Sequence, residues 1–143
     1  MCGNCDIVPP VVLAPVEVFT GVPLQKVMQV QRRLENGVYT RTGKIPAGGI
    51  LLGCEHRKEN IFHLTKGSLI LWDKKNGMRH VTAPFSEVTV PGIQRVGFAL
   101  DEVEGCNILK TEKLTVEEAE AEMFFPFVEP PGVMDELQKL LCG

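Results

Sequence analysis

The chain has 143 residues, of which 44% are apolar and 23% charged, and a formal net charge of −3. That is enough for one domain with a buried core. There is no basic excess of the kind a nucleic-acid surface normally carries, and no apolar run is long enough to cross a bilayer as a helix. The start, Met1-Cys2-Gly3-Asn4-Cys5-Asp6, lacks the positive and apolar regions of a secretory signal. Its glycine is third rather than second, so it is not a myristoylation start. The expected compartment is cytosolic. The five cysteines, Cys2, Cys5, Cys54, Cys106 and Cys142, are an odd number spread over the chain, which favours reduced thiols over a disulfide framework.

Residues 1–20 are rich in proline and valine, which blocks a helix or a central strand. An extended arm is expected, with one short edge strand near Val16 to Phe19, lying on its own barrel or on a neighbouring subunit. Over 22–35, Leu24, Val27, Met28, Gln31 and Leu34 recur at helical spacing, Pro23 suits a first turn and Asn36-Gly37 a stop, so the pattern predicts a helix. From Val38 to Lys113 short β-like segments follow one another: Val38–Ile45, Gly49–His56, Ile61–Leu64, Ser68–Asp73, Met78–Ala83, Glu87–Val90, Arg95–Leu100 and Asn107–Glu112. Lys74-Lys75-Asn76-Gly77 between two of them is a strong hairpin turn. Many short strands with Gly and Pro turns predict an antiparallel sandwich or barrel.

After the strands, Thr115 and Glu118 form a capping box ahead of a helix over 116–123. Glu117, Glu118, Glu120 and Glu122 would make most of that helix a solvated face. Phe124-Phe125-Pro126-Phe127 reads as an apolar cluster left exposed in the lone chain, and a last short helix is expected over 133–141 after Pro130-Pro131-Gly132. Three regions result: an N-terminal arm and helix over 1–37, a barrel over 38–113 and a helical tail over 114–143.

Few constellations carry chemistry. Cys2-x-x-Cys5 is half of a zinc or redox motif without its second half, and reads better as a terminus with two thiols. No phosphate-cradling glycine loop and no serine-hydrolase elbow is present. A Cys54–His56 nucleophile would lack a third, orienting group. His63 and His80 are lone strand histidines, more often surface or packed residues than catalysts.

The most informative stretch runs from Gly48 to Arg95. Five residues separate Gly48 from Cys54; Glu55, His56, Asn60 and Gly67 follow, and then Pro84, Val90, Gly92 and Arg95. This spacing resembles the two signature motifs of the cupin superfamily, a small jelly-roll β-barrel. The resemblance implies four metal-ligand positions, usually three histidines and a glutamate. Here they read Cys54, His56, Asn60 and Arg95. Imidazole and carboxylate suit transition metals. An amide is a poor ligand, and a permanent guanidinium stands where a cation would sit. Cys54 and His56 are the only two that could hold a metal, and Glu59 would take the carboxylate role only after a one-residue shift. Alternatively Arg95 replaces the metal's charge and, with Glu59 or a bound anion, organises the same pocket. A salt bridge or hydrogen-bond network sealing the barrel mouth is favoured over either.

A longer pattern resembles small cupin-like proteins encoded by tailed bacteriophages. It comprises Tyr39-Thr40-Arg41 to Ile45-Pro46-Ala47-Gly48, His56-x-x-Glu59, Leu64-x-x-Gly67, Ala83-Pro84 and Pro91-Gly92-x-x-Arg95-x-Gly97-x-Ala99, and covers about residues 38–123. In that group an Arg at the second motif is usual; Asn60 departs from an expected histidine. The resemblance implies a virion-related product located in the host cytoplasm and the virion.

The expected function is therefore a non-catalytic structural or assembly protein with no cofactor, no nucleic-acid and no membrane partner. It would oligomerise with itself or dock on other virion proteins through Val11, Val12, Leu13, Phe124, Phe125 and Phe127. The alternative is a small-molecule- or metal-binding cupin, possible enzyme included, using Cys54, His56, Glu59 and Arg95 as its ligand-binding set. A further alternative is a phage inhibitor of a host protein, presenting the acidic helix and the phenylalanines.

Overall fold

The computed structural model describes residues 10–13, 29–126 and 128. Ten strands form two five-stranded sheets. They are β1 (Pro10–Leu13), β2 (Gln29–Glu35), β3 (Val38–Ile45), β4 (Ile50–Gly53), β5 (Asn60–Lys66), β6 (Ser68–Asp73), β7 (Gly77–Thr82), β8 (Phe85–Thr89), β9 (Val96–Ala99) and β10 (Val103–Lys110). The first sheet has the order β1-β4-β9-β6-β7 and the second β2-β3-β10-β5-β8. All pairings are antiparallel except β1 with β4, which is parallel and sets Val11 and Val12 opposite Leu51 and Leu52. The arm's described part thus lies on the edge of its own barrel.

The sheets meet through alternating inward side chains. Leu51, Leu69, Leu71, Val81 and Ala99 from one sheet pack against Ile45, Leu64 and Val103 from the other. The core is apolar toward one end of the barrel, while Arg41, His56, Asn60 and Arg95 are buried toward the other. The Lys74-Lys75-Asn76 turn forms as the sequence predicts. Asp73 Oδ1 accepts from the backbone N–H of Lys75 at 2.9 Å and of Asn76 at 2.8 Å, and Gly77 takes a positive φ of 68°.

The helix expected over 22–35 is corrected where it is described: Gln29–Glu35 is strand β2. Asn36 and Gly37 have φ of 51° and 77°. Two successive left-handed residues make the tight turn whose twist matches a hairpin, so Asn36-Gly37 joins β2 to β3 with Glu35 opposite Val38. Val30 and Leu34, four apart, satisfy a strand as well as a helix because both lie on its inner face, each packed on a different part of the core. Residues 22–28, the strand expected near 16–19 and the helix expected over 133–141 lie outside the described residues.

The helix α1 (Val116–Met123) has the expected bounds and cap: the Thr115 hydroxyl accepts from the Glu118 N–H at 3.1 Å. Its solvated-face reading fails at one position. Ala119, Glu120 and Met123 are buried, and Ala119 and Met123 pack on Tyr39 and Leu109. Glu120 is only 1% exposed. It accepts from the Tyr39 hydroxyl at 2.6 Å, from Arg32 at 3.0 Å and from Arg41 at 3.5 Å, which compensates a carboxylate that burial would otherwise make costly. Burial and the Glu120 carboxylate together push the Tyr39 phenol well above its usual range.

Removing one partner of such a buried cluster leaves uncompensated charge. Glu120→Ala is expected to lower stability by about 3–5 kcal/mol, and Glu117→Ala, exposed on the same helix, by no more than about 0.5 kcal/mol. Urea unfolding of the two variants measures the contrast.

Candidate functional site

The two motif halves meet because residues 53–56, from the last residue of β4 onward, run beside residues 92–95, before β9. Gly53 N–H donates to the Arg95 carbonyl at 2.9 Å, His56 N–H to Ile93 at 2.8 Å, and Gly92 N–H to His56 at 2.9 Å. Gly53 suits this close approach, because a Cβ would stand 3.0 Å from the Arg95 carbonyl oxygen. On the other side, residues 55–57 bridge to 123–125: Arg57 N–H donates to the Met123 carbonyl at 2.7 Å and Phe125 N–H to Glu55 at 2.9 Å. The segment after α1 therefore crosses the barrel mouth.

Three of the four ligand positions converge with other polar groups. Cys54, His56 and Arg95 line one small cavity of about 30 Å³ together with Arg41, Asn107 and Phe124. Asn60 Nδ2 donates to His56 Nδ1 at 2.7 Å and to the Lys58 carbonyl at 2.9 Å. That bond makes Nδ1 an acceptor and puts the imidazole proton on Nε2. Burial, and then the positive Arg95 nearby, pull the His56 pKa down to about 3. Burial pushes the Cys54 thiol up to about 11, a rise that Arg41 only partly offsets.

Arg95 does not pair with Glu59. Its Nε and Nη2 both donate to Glu87 Oε1, at 3.3 and 2.8 Å, and its guanidinium carbon lies 4.9 Å from the Phe62 ring centre. Arg79 donates to both Glu87 oxygens, at 2.9 and 3.0 Å, and to Asp73 at 3.0 Å. Burial raises the Glu87 pKa, but the bonds from Arg79 and Arg95 outweigh it and hold the carboxylate below its usual range. For Arg95 burial wins and the pKa is lowered in spite of Glu87. Glu59 is exposed and lines a groove on the outside of the second sheet instead.

Phe124 corrects a further expectation. It is 6% exposed and its ring meets His56 edge-on at 5.0 Å, with the Arg41 guanidinium 5.7 Å from its centre. It is a plug of its own barrel rather than a free surface residue. Phe125 is 42% exposed, under the guanidinium of Arg57. Phe127, Cys2, Cys5 and Cys142 lie outside the described residues, as do the side chains of Val11, Val12 and Leu13. His63 sits on the outer face of its sheet against the Ser86 hydroxyl, and His80 is exposed.

The metal that the cupin resemblance implies does not fit these residues. Cys54 is held as a thiol, the Nδ1 lone pair of His56 is taken, Asn60 is a neutral donor and Arg95 is a buried cation. Among the described residues no group of three His, Cys, Asp or Glu could hold a metal ion. The partners that make the site what it is, Glu87, Arg41, Asn107 and Glu120, are not among the four ligand positions. Inward alternation in β3 (Tyr39, Arg41) and in β8 (Phe85, Glu87, Thr89) is the signal that marks two of them.

No protein-family model matches the chain, and no curated protein does. Solved structures do. A cupin superfamily protein from Desulfitobacterium hafniense superposes with a TM-score of 0.52 at 6% identity over 59% of this chain and 78% of that one. Ectoine synthase from P. lautus gives 0.53 at 13% identity over 73% and 78%. KdgF from Halomonas sp. gives 0.53 at 10% identity over 64% and 86%. The chain has the cupin fold. At such identities the likeness is one of architecture, shared by enzymes and by proteins without a stated activity.

The buried neutral imidazole makes stability pH-dependent. The pKa of His56 is lower folded than unfolded, so the unfolded chain binds more protons between about pH 3 and 6.5 and stability falls as pH falls through that window. Between pH 6.5 and 5 the loss from this group is expected to be about 1.6 kcal/mol. Urea titrations at the two pH values should show it, and His56→Gln, which cannot titrate, should remove it.

Proposed function

We propose that this chain is a non-catalytic cupin-fold building block that assembles with itself or docks on other proteins through surfaces outside its closed barrel. The observation that carries this reading is Phe124 seated against His56: the mouth through which a substrate would enter is plugged by the chain's own tail, and three of the four ligand positions behind it, His56, Asn60 and Arg95, hydrogen-bond within the chain. The outside supports the same reading. A groove of about 740 Å³ on the second sheet has Val38, Ile61 and Val88 exposed along it, with Lys58, Lys110 and Glu112 among its polar walls. The resemblance over residues 38–123 gives the setting, a tailed-bacteriophage particle or its assembly.

Native mass spectrometry and elemental analysis of the purified full chain test the proposal together. A discrete oligomer with no stoichiometric transition metal is expected, and deletion of residues 1–20 should reduce the oligomer or block its incorporation into particles. A monomer carrying one metal per chain, or assembly unchanged by the deletion, would overturn it.

A further inference from the structure

Inside the plugged barrel a strong donor is unused. Arg95 is 6% exposed, and its Nη1 is buried with no hydrogen-bond partner among the described residues. The guanidinium is planar, and the edge formed by Nε and Nη2 faces Glu87. Nη1 stands on the opposite side. Arg95 is a wall of the 30 Å³ cavity that also has Arg41, His56, Asn107 and Phe124 as walls. A second cavity of about 30 Å³ shares Arg41, Phe62 and Asn107 with the first.

The composition of those walls selects the occupant. Two arginines, Arg41 and Arg95, line the first cavity and no carboxylate does: Glu87 and Glu120 hold Arg95 and Arg41 from outside it. His56 is neutral and cannot add a negative charge, and the Cys54 thiol is kept protonated. Asn107, whose Nδ2 donates to Asn60 Oδ1 at 3.5 Å, adds an amide to the walls. Positive charge in a water-poor interior is weakly screened, so an anion there gains more than it would at the surface. The volume admits about one small group, which excludes phosphate esters, sugars and amino acids.

We propose that the closed barrel holds one small monovalent anion of halide size, bound by Arg95 Nη1 beneath Phe124. The guanidinium at the second-motif position would then serve an anion where the fold's metal-bearing members serve a cation. This stands whether or not the chain assembles with others.

The test uses the full-length protein exchanged into sodium gluconate, an anion too large for the cavity. Chloride or bromide replaces gluconate at constant ionic strength while the thermal midpoint is followed. A saturable rise is expected, roughly 5–10 °C at a hundredfold excess over half-saturation, and Arg95→Gln should abolish it. A midpoint indifferent to halide, or a rise equal in Arg95→Gln, overturns the proposal. Because Arg95→Gln could fail to fold, crystals of the unaltered protein grown in bromide give an independent reading. An anomalous peak within hydrogen-bond reach of Arg95 Nη1 supports the site, and a water-like peak with no anomalous signal refutes it.

Discussion

One carboxylate fixes where the last described part of the chain goes. Glu120 reaches from α1 into the space above β2 and β3 and collects a phenol and two guanidinium groups. A lone carboxylate there would be unstable, and with its three donors it holds the helix in one register on the sheet. Ala119 and Met123 add apolar contact on the same face. With the helix held, the next residues can go only across the barrel mouth, where the backbone of Glu55 and Arg57 receives them. The plug is therefore a consequence of the clamp: Phe124 sits against His56 because Glu120 sits against Tyr39.

A second ionic group plays the matching part inside. Glu87 holds Arg79 and Arg95 at once, and Arg79 reaches on to Asp73, which is fully buried. This arrangement joins β6, β7 and β8 to the residue before β9, and so spans both sheets. In a metal-bearing barrel an ion could tie such elements together. Here fixed charges on side chains do so, and the cation is part of the polypeptide.

Much of the fold is legible in the sequence because strand and turn signals are local. Val38–Ile45, Ser68–Asp73 and the helix over 116–123 have the bounds their patterns imply. Lys74-Lys75-Asn76, closed by Gly77 at positive φ, is a hairpin turn, and so is the shorter Asn36-Gly37. The latter is misread as a helix stop because Leu24, Val27, Met28, Gln31 and Leu34 suggest a period that β2 does not keep. The site is legible only in its positions. Cys54, His56 and Arg95 do come together, since spacing between motif residues records the barrel's geometry. Their partners do not follow from spacing. Glu59 is close to His56 in sequence and faces outward; Glu87 is eight residues from Arg95 and faces it. Glu120 looks like one of four solvated glutamates, because local helical charge carries no record of an arginine far away in sequence.

The two sheets end side by side at β7 and β8, which the Ala83–Pro84 corner connects and which form no ladder with each other among the described residues. The ion pair between Arg79 and Glu87 crosses that side, over the packing of Val81, Ala83 and Phe85. On this side the two sheets are joined by a corner and latched by a charge pair. Strong electrolyte weakens such a latch and leaves the tail plug, made of backbone bonds and ring contacts, in place. Solvent entering along this seam would leave the tail where it is.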